Sequence, residues 1–163
     1  MGFTIMGNSY TIELYFFYTN FCYTAIMIYC LWSTFLMKTI FVVDDNTVNL
    51  VVADEALSNN YNVFTFVSAQ VMLDSLNNII PDLILLDIMM PGMDGFETLK
   101  HLKANRQYAE IPVIFMTSKE DAGTKALGYQ MGVADFIFKP FLESVLLSRI
   151  IAHLPIEVID QEN

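Results

Sequence analysis

The chain is short of cysteine, histidine and basic residues, and each shortage excludes a class of function. Two cysteines and two histidines in 163 residues are too few for a disulfide scaffold or a cysteine-rich zinc site. Eight Lys and Arg stand against 18 Asp and Glu, for a net charge of -10. This sign argues against nucleic-acid binding, which needs a positive field, and against a polybasic membrane patch. Hydrophobic residues make up 55% of the chain, which excludes a disordered protein.

Charge is almost absent from the first 37 residues, which hold a single charged side chain, Glu13, and half of the aromatic residues. Every Lys and Arg lies from Lys38 onward, and residues 38–163 carry a net charge of -9. We therefore predict a boundary at Met37/Lys38. The predicted parts are a hydrophobic N-terminal segment (1–37), one domain of common size (38–154) and an acidic C-terminal tail (155–163).

The uncharged stretch 14–37 has three interpretations. As a helix it would span roughly 36 Å, enough to cross a bilayer core of about 30 Å. Lys38 would then leave the domain on the cytoplasmic side, tethered to the inner face of the membrane. A second interpretation is an extraneous upstream extension, with a natural start at Met37, and a third is a packed N-terminal helix. A cleaved signal peptide fits less well, because no basic residue opens the segment.

The remaining residues alternate between β-rich apolar runs and helical patterns. Five runs predict strands, at 40–43, 61–67, 83–86, 111–116 and 136–138. The segments between them, and the segment after the last, predict helices. In the first helix we expect Val48, Val51 and Val52 to form the apolar stripe. The alternation predicts an α/β fold, with a doubly wound five-stranded parallel sheet covered by helices on both faces.

Polar residues follow the predicted strands where they end. Asp44 and Asp45 follow the first strand, and Asp87 follows the third. Thr117 and Lys139 follow the fourth and the fifth. Ligands of open α/β sheets bind beyond the carboxyl ends of the strands, so we expect these five side chains to converge on one cleft.

The predicted cluster has the residue types that bind a hard metal ion and a phosphate group. Three close carboxylates repel one another, and oxygen ligands without His or Cys suit Mg²⁺. Lys139 and the Thr117 hydroxyl could then hold a phosphate-like group, and a carboxylate can act as a nucleophile towards phosphorus. A single Asp at a strand end is more often a helix cap or turn residue, but five polar residues in this order favour a site.

The chain resembles the receiver (REC) domain of bacterial two-component response regulators. The resemblance rests on VVDDN at 42–46, LILLDIMMPGMDG at 83–95, IPVIFMTS at 111–118 and GVADFIFKPF at 132–141, and it covers 38–154. It implies a flavodoxin-like, CheY-like sheet. It also implies that Asp87 accepts a phosphoryl group and contributes to the metal site. Asp45 would bind Mg²⁺ directly and Asp44 mainly through water.

The resemblance assigns roles to four further positions. The backbone carbonyl of Met89 would complete the metal ligands. Thr117 and Lys139 would bind the phosphoryl oxygens, and Thr117 would also act as a switch together with Phe136, which occupies the aromatic switch position. The Lys139-Pro140 peptide bond would be cis.

The resemblance also implies partners and a cellular role. We expect a cytoplasmic, stand-alone receiver that takes its phosphoryl group from a sensor histidine kinase or a histidine phosphotransfer protein. It would signal by binding a downstream protein, because the nine residues after 154 leave no room for an output domain. Its own chemistry would be limited to self-phosphorylation and autophosphatase activity. The alternatives are a degenerate receiver that acts as a phosphorylation-independent docking module, and a Mg²⁺-dependent phosphohydrolase.

Overall fold

The computed structural model describes residues 37–118 and 121–154. The three interpretations of the stretch 14–37, apart from Met37, and the predicted acidic tail lie outside the described residues. The chain divides into two units at Met37/Lys38, and only the second is described below. Within the described ranges, no helix has the length and apolar character needed to cross a membrane.

Five strands and five helices alternate along the described chain, as the sequence predicts. The strands are β1 (Thr39–Val43), β2 (Asn62–Phe66), β3 (Leu83–Asp87), β4 (Val113–Thr117) and β5 (Asp135–Phe138). The helices are α1 (Thr47–Leu57), α2 (Ala69–Ser75), α3 (Gly95–Ala104), α4 (Ala122–Gln130) and α5 (Glu143–His153).

All four strand pairs are parallel, in the order β2-β1-β3-β4-β5. The chain runs outward from β1 to β2 and then returns to the other side of β1 with β3. The carboxyl ends of β1 and β3 therefore flank the point where the winding direction reverses. This is where open α/β sheets bind ligands.

The sheet buries both of its faces, so the predicted doubly wound α/β fold is confirmed. Phe41 and Val43 of β1 belong to a hydrophobic cluster on one face, whereas Ile40 and Val42 belong to a cluster on the other. Every residue of β3 and β4 is buried. Strands covered on both faces are apolar throughout, which explains the uninterrupted hydrophobic runs in the sequence.

Side-chain caps begin four of the five helices. Asn46, Ser68, Asp94 and Asp121 each accept a hydrogen bond from a backbone N–H of the first turn. These residues satisfy donors that a helix cannot pair internally. Asp121, for example, directly precedes Ala122, the first residue of α4.

The predicted apolar stripe of α1 is wrong. Val48, Val51 and Val52 are exposed, and Leu50, Ala53, Ala56 and Leu57 pack against the sheet instead. The valine stripe stops after one turn, since the next position on that face is Glu55. The stripe through Leu50 and Leu57 continues over the length of the helix and buries more apolar surface.

Candidate functional site

Three carboxylates lie together at the carboxyl end of the sheet. Asp44 and Asp45 directly follow β1, and Asp87 is the last residue of the neighbouring strand β3. One carboxylate oxygen from each of the three lies within 4.8 Å of the others. Asp44 and Asp87 are buried and Asp45 is exposed. The sheet topology thus brings Asp87 next to Asp44 and Asp45, although 42 positions separate it from Asp45 in the sequence.

The buried carboxylate of Asp44 is held by the start of α1. Its Oδ1 accepts the backbone N–H of Asn46 at 2.9 Å. The side-chain Nδ2 of Asn49 donates to both oxygens, at 3.1 and 3.0 Å. Sequence reasoning did not identify Asn49 as a site residue. Its position three residues after the N-cap Asn46, where a side chain can reach back over the helix start, was the available signal.

A single ammonium group, that of Lys139, contacts both buried acids. Lys139 follows β5, two strands from β3 and three from β1, and its side chain reaches across the end of β4. Its Nζ lies 2.9 Å from Oδ1 of Asp87 and also contacts Oδ2 of Asp44. The backbone N–H of Lys139 donates to the carbonyl of Thr117 at 2.8 Å, and the Lys139-Pro140 peptide bond is cis, as expected.

Burial raises the pKa of Asp87 above its usual value, and the negative charge of Asp44 adds to the rise. The hydrogen bond and the charge of Lys139 oppose it, as does the backbone N–H of Met89. The net direction is upward, so Lys139 alone does not fully compensate the carboxylate. The cluster therefore favours further positive charge next to Asp87.

The remaining predicted site residues surround this cluster at different depths. Thr117 ends β4, beside β3, and is buried. The side chain of Met89, two residues after Asp87, is exposed. Phe136 of β5 is buried, with its ring centroid 5.7 Å from that of Phe115 and 5.2 Å from that of Tyr129 on α4.

Two glycines that the sequence analysis did not assign to the site are required by close approaches. A Cβ at Gly95 would lie 2.5 Å from the carbonyl oxygen of Asp87, so α3 begins directly against the backbone that carries this acid. A Cβ at Gly128 on α4 would lie 2.6 Å from Cζ of Phe136. The buried position of the Phe136 ring therefore depends on the missing side chain at Gly128.

The donor set fits a hard divalent cation. Asp44, Asp45 and Asp87 offer only oxygen atoms, and the carboxylate of Asp45 has no hydrogen-bond partner among the described residues. Carboxylates with no His or Cys ligand suit Mg²⁺, which is usually bound through one or two carboxylates, water and phosphate oxygens. The residues of the cluster therefore fit Mg²⁺.

Comparison with known proteins finds curated relatives of this chain. The chain is 38% identical over 116 residues to a probable cyclic di-GMP phosphodiesterase of Vibrio cholerae, covering 71% of this chain and 26% of that protein. It is 36% identical over 112 residues to the response regulator PleD of Caulobacter vibrioides, covering 68% and 25%. The chain thus spans about a quarter of the length of these two curated relatives.

Among solved structures, the chemotaxis protein CheY4 of Vibrio cholerae matches with a TM-score of 0.70 at 27% identity, over 72% of this chain and 99% of that one. Residues 40–151 match the family described as the response regulator receiver domain. This match covers all ten elements apart from the first residue of β1 and the last two of α5. The chain therefore belongs to the response regulator receiver domain family.

Proposed function

We propose that this receiver domain is a phosphoacceptor switch in which Asp87 takes a phosphoryl group from a phosphohistidine. The observation that supports the proposal most strongly is the cluster of three carboxylates with Lys139 in contact with two of them. A carboxylate can form an aspartyl phosphate, and a neighbouring cation neutralises the charge that the transferred group brings.

The transfer exchanges one bond to phosphorus for another. A carboxylate oxygen of Asp87 forms the new P–O bond, and the P–N bond to the donor histidine breaks. The histidine nitrogen keeps the electron pair of that bond. Bound Mg²⁺, held by Asp44, Asp45, Asp87 and the carbonyl of Met89, would supply charge neutralisation at the phosphoryl oxygens.

The protein's own groups have separate tasks in this proposal. Lys139 changes partners: its ammonium, which contacts two carboxylates in this structure, binds a phosphoryl oxygen as the transfer proceeds. Asn49 and the N–H of Asn46 keep Asp44 oriented. In-line phosphoryl transfer needs little beyond such positioning and charge.

The proposed switch connects Asp87 to the surface through Thr117 and Phe136. The phosphoryl group brings nearly two negative charges and three acceptor oxygens. The Thr117 hydroxyl would bind one of these oxygens, and the ring of Phe136 would report the change to α4, β5 and α5. A local charge would thus bias an element with two packing arrangements.

Receiver domains interact with histidine kinases or histidine phosphotransfer proteins and with downstream targets, and we propose one partner of each kind. The activities in the names of the two curated relatives belong to those proteins. The stand-alone state, the three-part domain organisation and a cytoplasmic location, with or without a membrane tether, stay predictions.

Intact mass spectrometry after incubation with acetyl phosphate and Mg²⁺ tests the proposal. We expect one phosphoryl adduct on the chain, none on Asp87→Asn and none after EDTA treatment. Asp54→Asn, at an exposed position of α1, is the matched control and should form the adduct normally. Failure of the chain to form it, under conditions that modify a working receiver, would favour a docking module without phosphorylation.

A further inference from the structure

The outer edge of β2 is unpaired within the described part of the chain. The N–H of Asn62 donates to the carbonyl of Lys38 at 2.9 Å, and the carbonyl of Phe66 accepts the N–H of Asp44 at 3.1 Å. In a parallel pair, every second residue of a strand forms hydrogen bonds to its neighbour. Asn62, Phe64 and Phe66 therefore pair with β1, and Val63 and Thr65 direct their N–H and C=O groups away from the sheet. These groups have no partner among the described residues.

The two edges of the sheet differ in how they are protected. β5 begins with Asp135, which bonds Arg149 and His153 of α5, and it is followed by Lys139-Pro140. Charges and proline are the usual means of blocking an edge strand. The segment 61–67 at the β2 edge has neither.

Exposed apolar side chains lie on β2, just beyond it and on the two helices that pack against it. Phe64 of β2 is 38% exposed, Val67 just beyond it 53%, and Val71 of α2 50%. On α1, which packs against β2, the valines at 48, 51 and 52 are also exposed. An extended segment added to this edge could cover apolar groups as well as pair backbone groups.

The charge of the two helices that pack against β2 indicates the occupant. These helices, α1 and α2, carry the exposed acidic residues Asp54, Glu55 and Asp74 and no Lys or Arg. A second copy of the chain would bring the same negative charge to the edge, and like charges oppose association. A basic partner would be attracted.

We propose that the β2 edge is a strand-addition site for an extended basic segment of a partner protein, with apolar and basic side chains in alternation. Its backbone would pair with the outward groups of Val63 and Thr65. Its apolar side chains would cover Phe64, Val67 and Val71. Phosphorylation of Asp87 is not needed for this binding, so the proposal and the phosphoacceptor function can fail independently.

The probe is a blocked nine-residue peptide of alternating Val and Lys, titrated into the full chain and followed by calorimetry and amide hydrogen exchange. The control peptide has Glu in place of every Lys. We expect the Lys peptide to bind at least tenfold more tightly and more weakly as salt rises. It should slow exchange at the amides of Val63 and Thr65 at least tenfold.

Thr65→Pro removes one outward N–H without removing a hydrogen bond to β1, and proline is tolerated at such edge positions. It should weaken Lys-peptide binding at least tenfold, whereas Thr65→Val should not. A cooperative urea unfolding transition of the proline variant would show that it is folded. If it does not fold, Val67→Lys is the second variant and should reverse the preference towards the Glu peptide.

Three results would overturn the proposal. One is equal affinity for the Lys and Glu peptides, or no binding of either at 1 mM peptide, a concentration on the order of a weak Kd. Another is unchanged exchange at Val63 and Thr65 in the presence of bound peptide. The third is protection of these two amides by raising the chain concentration without peptide, which would identify a second copy as the occupant.

Discussion

Replacement of Lys139 by Met is the most informative test of how the acidic cluster is held in the absence of metal. The Lys139 side chain is 12% exposed, and its ammonium is in contact with the buried carboxylates of Asp44 and Asp87. Methionine keeps most of the side-chain volume and removes the charge. The repulsion among the carboxylates of Asp44, Asp87 and Asp45 is then no longer reduced by the ammonium group of Lys139.

The expected loss of stability is large for a single substitution. Removal of one partner from a buried ion pair costs about 3–5 kcal/mol. A domain of this size has a free energy of unfolding of roughly 6–18 kcal/mol. The burial that already raises the pKa of Asp87 would act unopposed by Lys139, so its pKa would rise further. A raised carboxyl pKa means that the folded state binds the proton more tightly, so the deficit should shrink as the pH falls from 8 to 5.

Urea denaturation in EDTA, at pH 8 and pH 5, measures this loss. The matched control is Lys100→Met, an exposed lysine of α3 that carries the same change of charge. Mg²⁺ at a concentration one hundred times its Kd should raise the free energy of unfolding of Lys139→Met by about 2.7 kcal/mol. Addition of Asp87→Asn to Lys139→Met should also recover part of the loss. A loss no greater than that of the control, at both pH values, would refute the electrostatic account of the cluster.

Three further predictions concern the surroundings of the site. Asn49→Ala removes both amide hydrogen bonds to Asp44 and should weaken Mg²⁺ binding, measured by calorimetry, about 10–100-fold. Asn49→Asp also lacks the amide donor and should not restore the positioning of Asp44. Unchanged Mg²⁺ binding in Asn49→Ala would contradict the positioning role. Gly128→Ala should cost about 1–3 kcal/mol in urea denaturation because of its clash with Phe136, and Phe136→Leu should recover part of it; additive losses would contradict the clash. Burial raises the pKa of Asp135, but the hydrogen bonds it accepts outweigh burial and lower it. The stability that these hydrogen bonds provide is complete above the ordinary carboxyl pKa and is lost as the pH falls through the lowered pKa of Asp135. Asp135→Asn should therefore reduce the dependence of the free energy of unfolding on pH at acid pH. An unchanged pH dependence in this range would contradict the prediction.

The five strands and the residues of the cluster could be predicted because the signals are local. Uninterrupted apolar runs mark strands buried on both faces, and a polar residue at the end of such a run must lie at the carboxyl edge of the sheet. Asp44, Asp87 and Thr117 were placed by this rule. The family resemblance then supplied the cis peptide bond before Pro140.

What could not be predicted depends on contacts between distant elements. The apolar stripe of α1 was misassigned because two stripes compete on one short helix, and only packing on the sheet selects between them. The contact between Gly128 and the Phe136 ring joins a helix to a strand, and no spacing in the sequence reveals it. The same holds for the reach of Lys139 over β4 to two acids on other strands.

The complete burial of β3 has a consequence for how the site responds to motion of the surrounding protein. Strands covered on both faces open only when the whole domain unfolds, so their amides are expected to be the slowest to exchange. Asp87 is the last residue of β3, and the start of α3 lies against its carbonyl. The carboxylate of Asp87 is thus anchored to the part of the domain that opens most slowly, whereas the side chain of Met89, two residues later, is exposed. In the proposed switch, any rearrangement would therefore take place around Asp87, whose own position would change little.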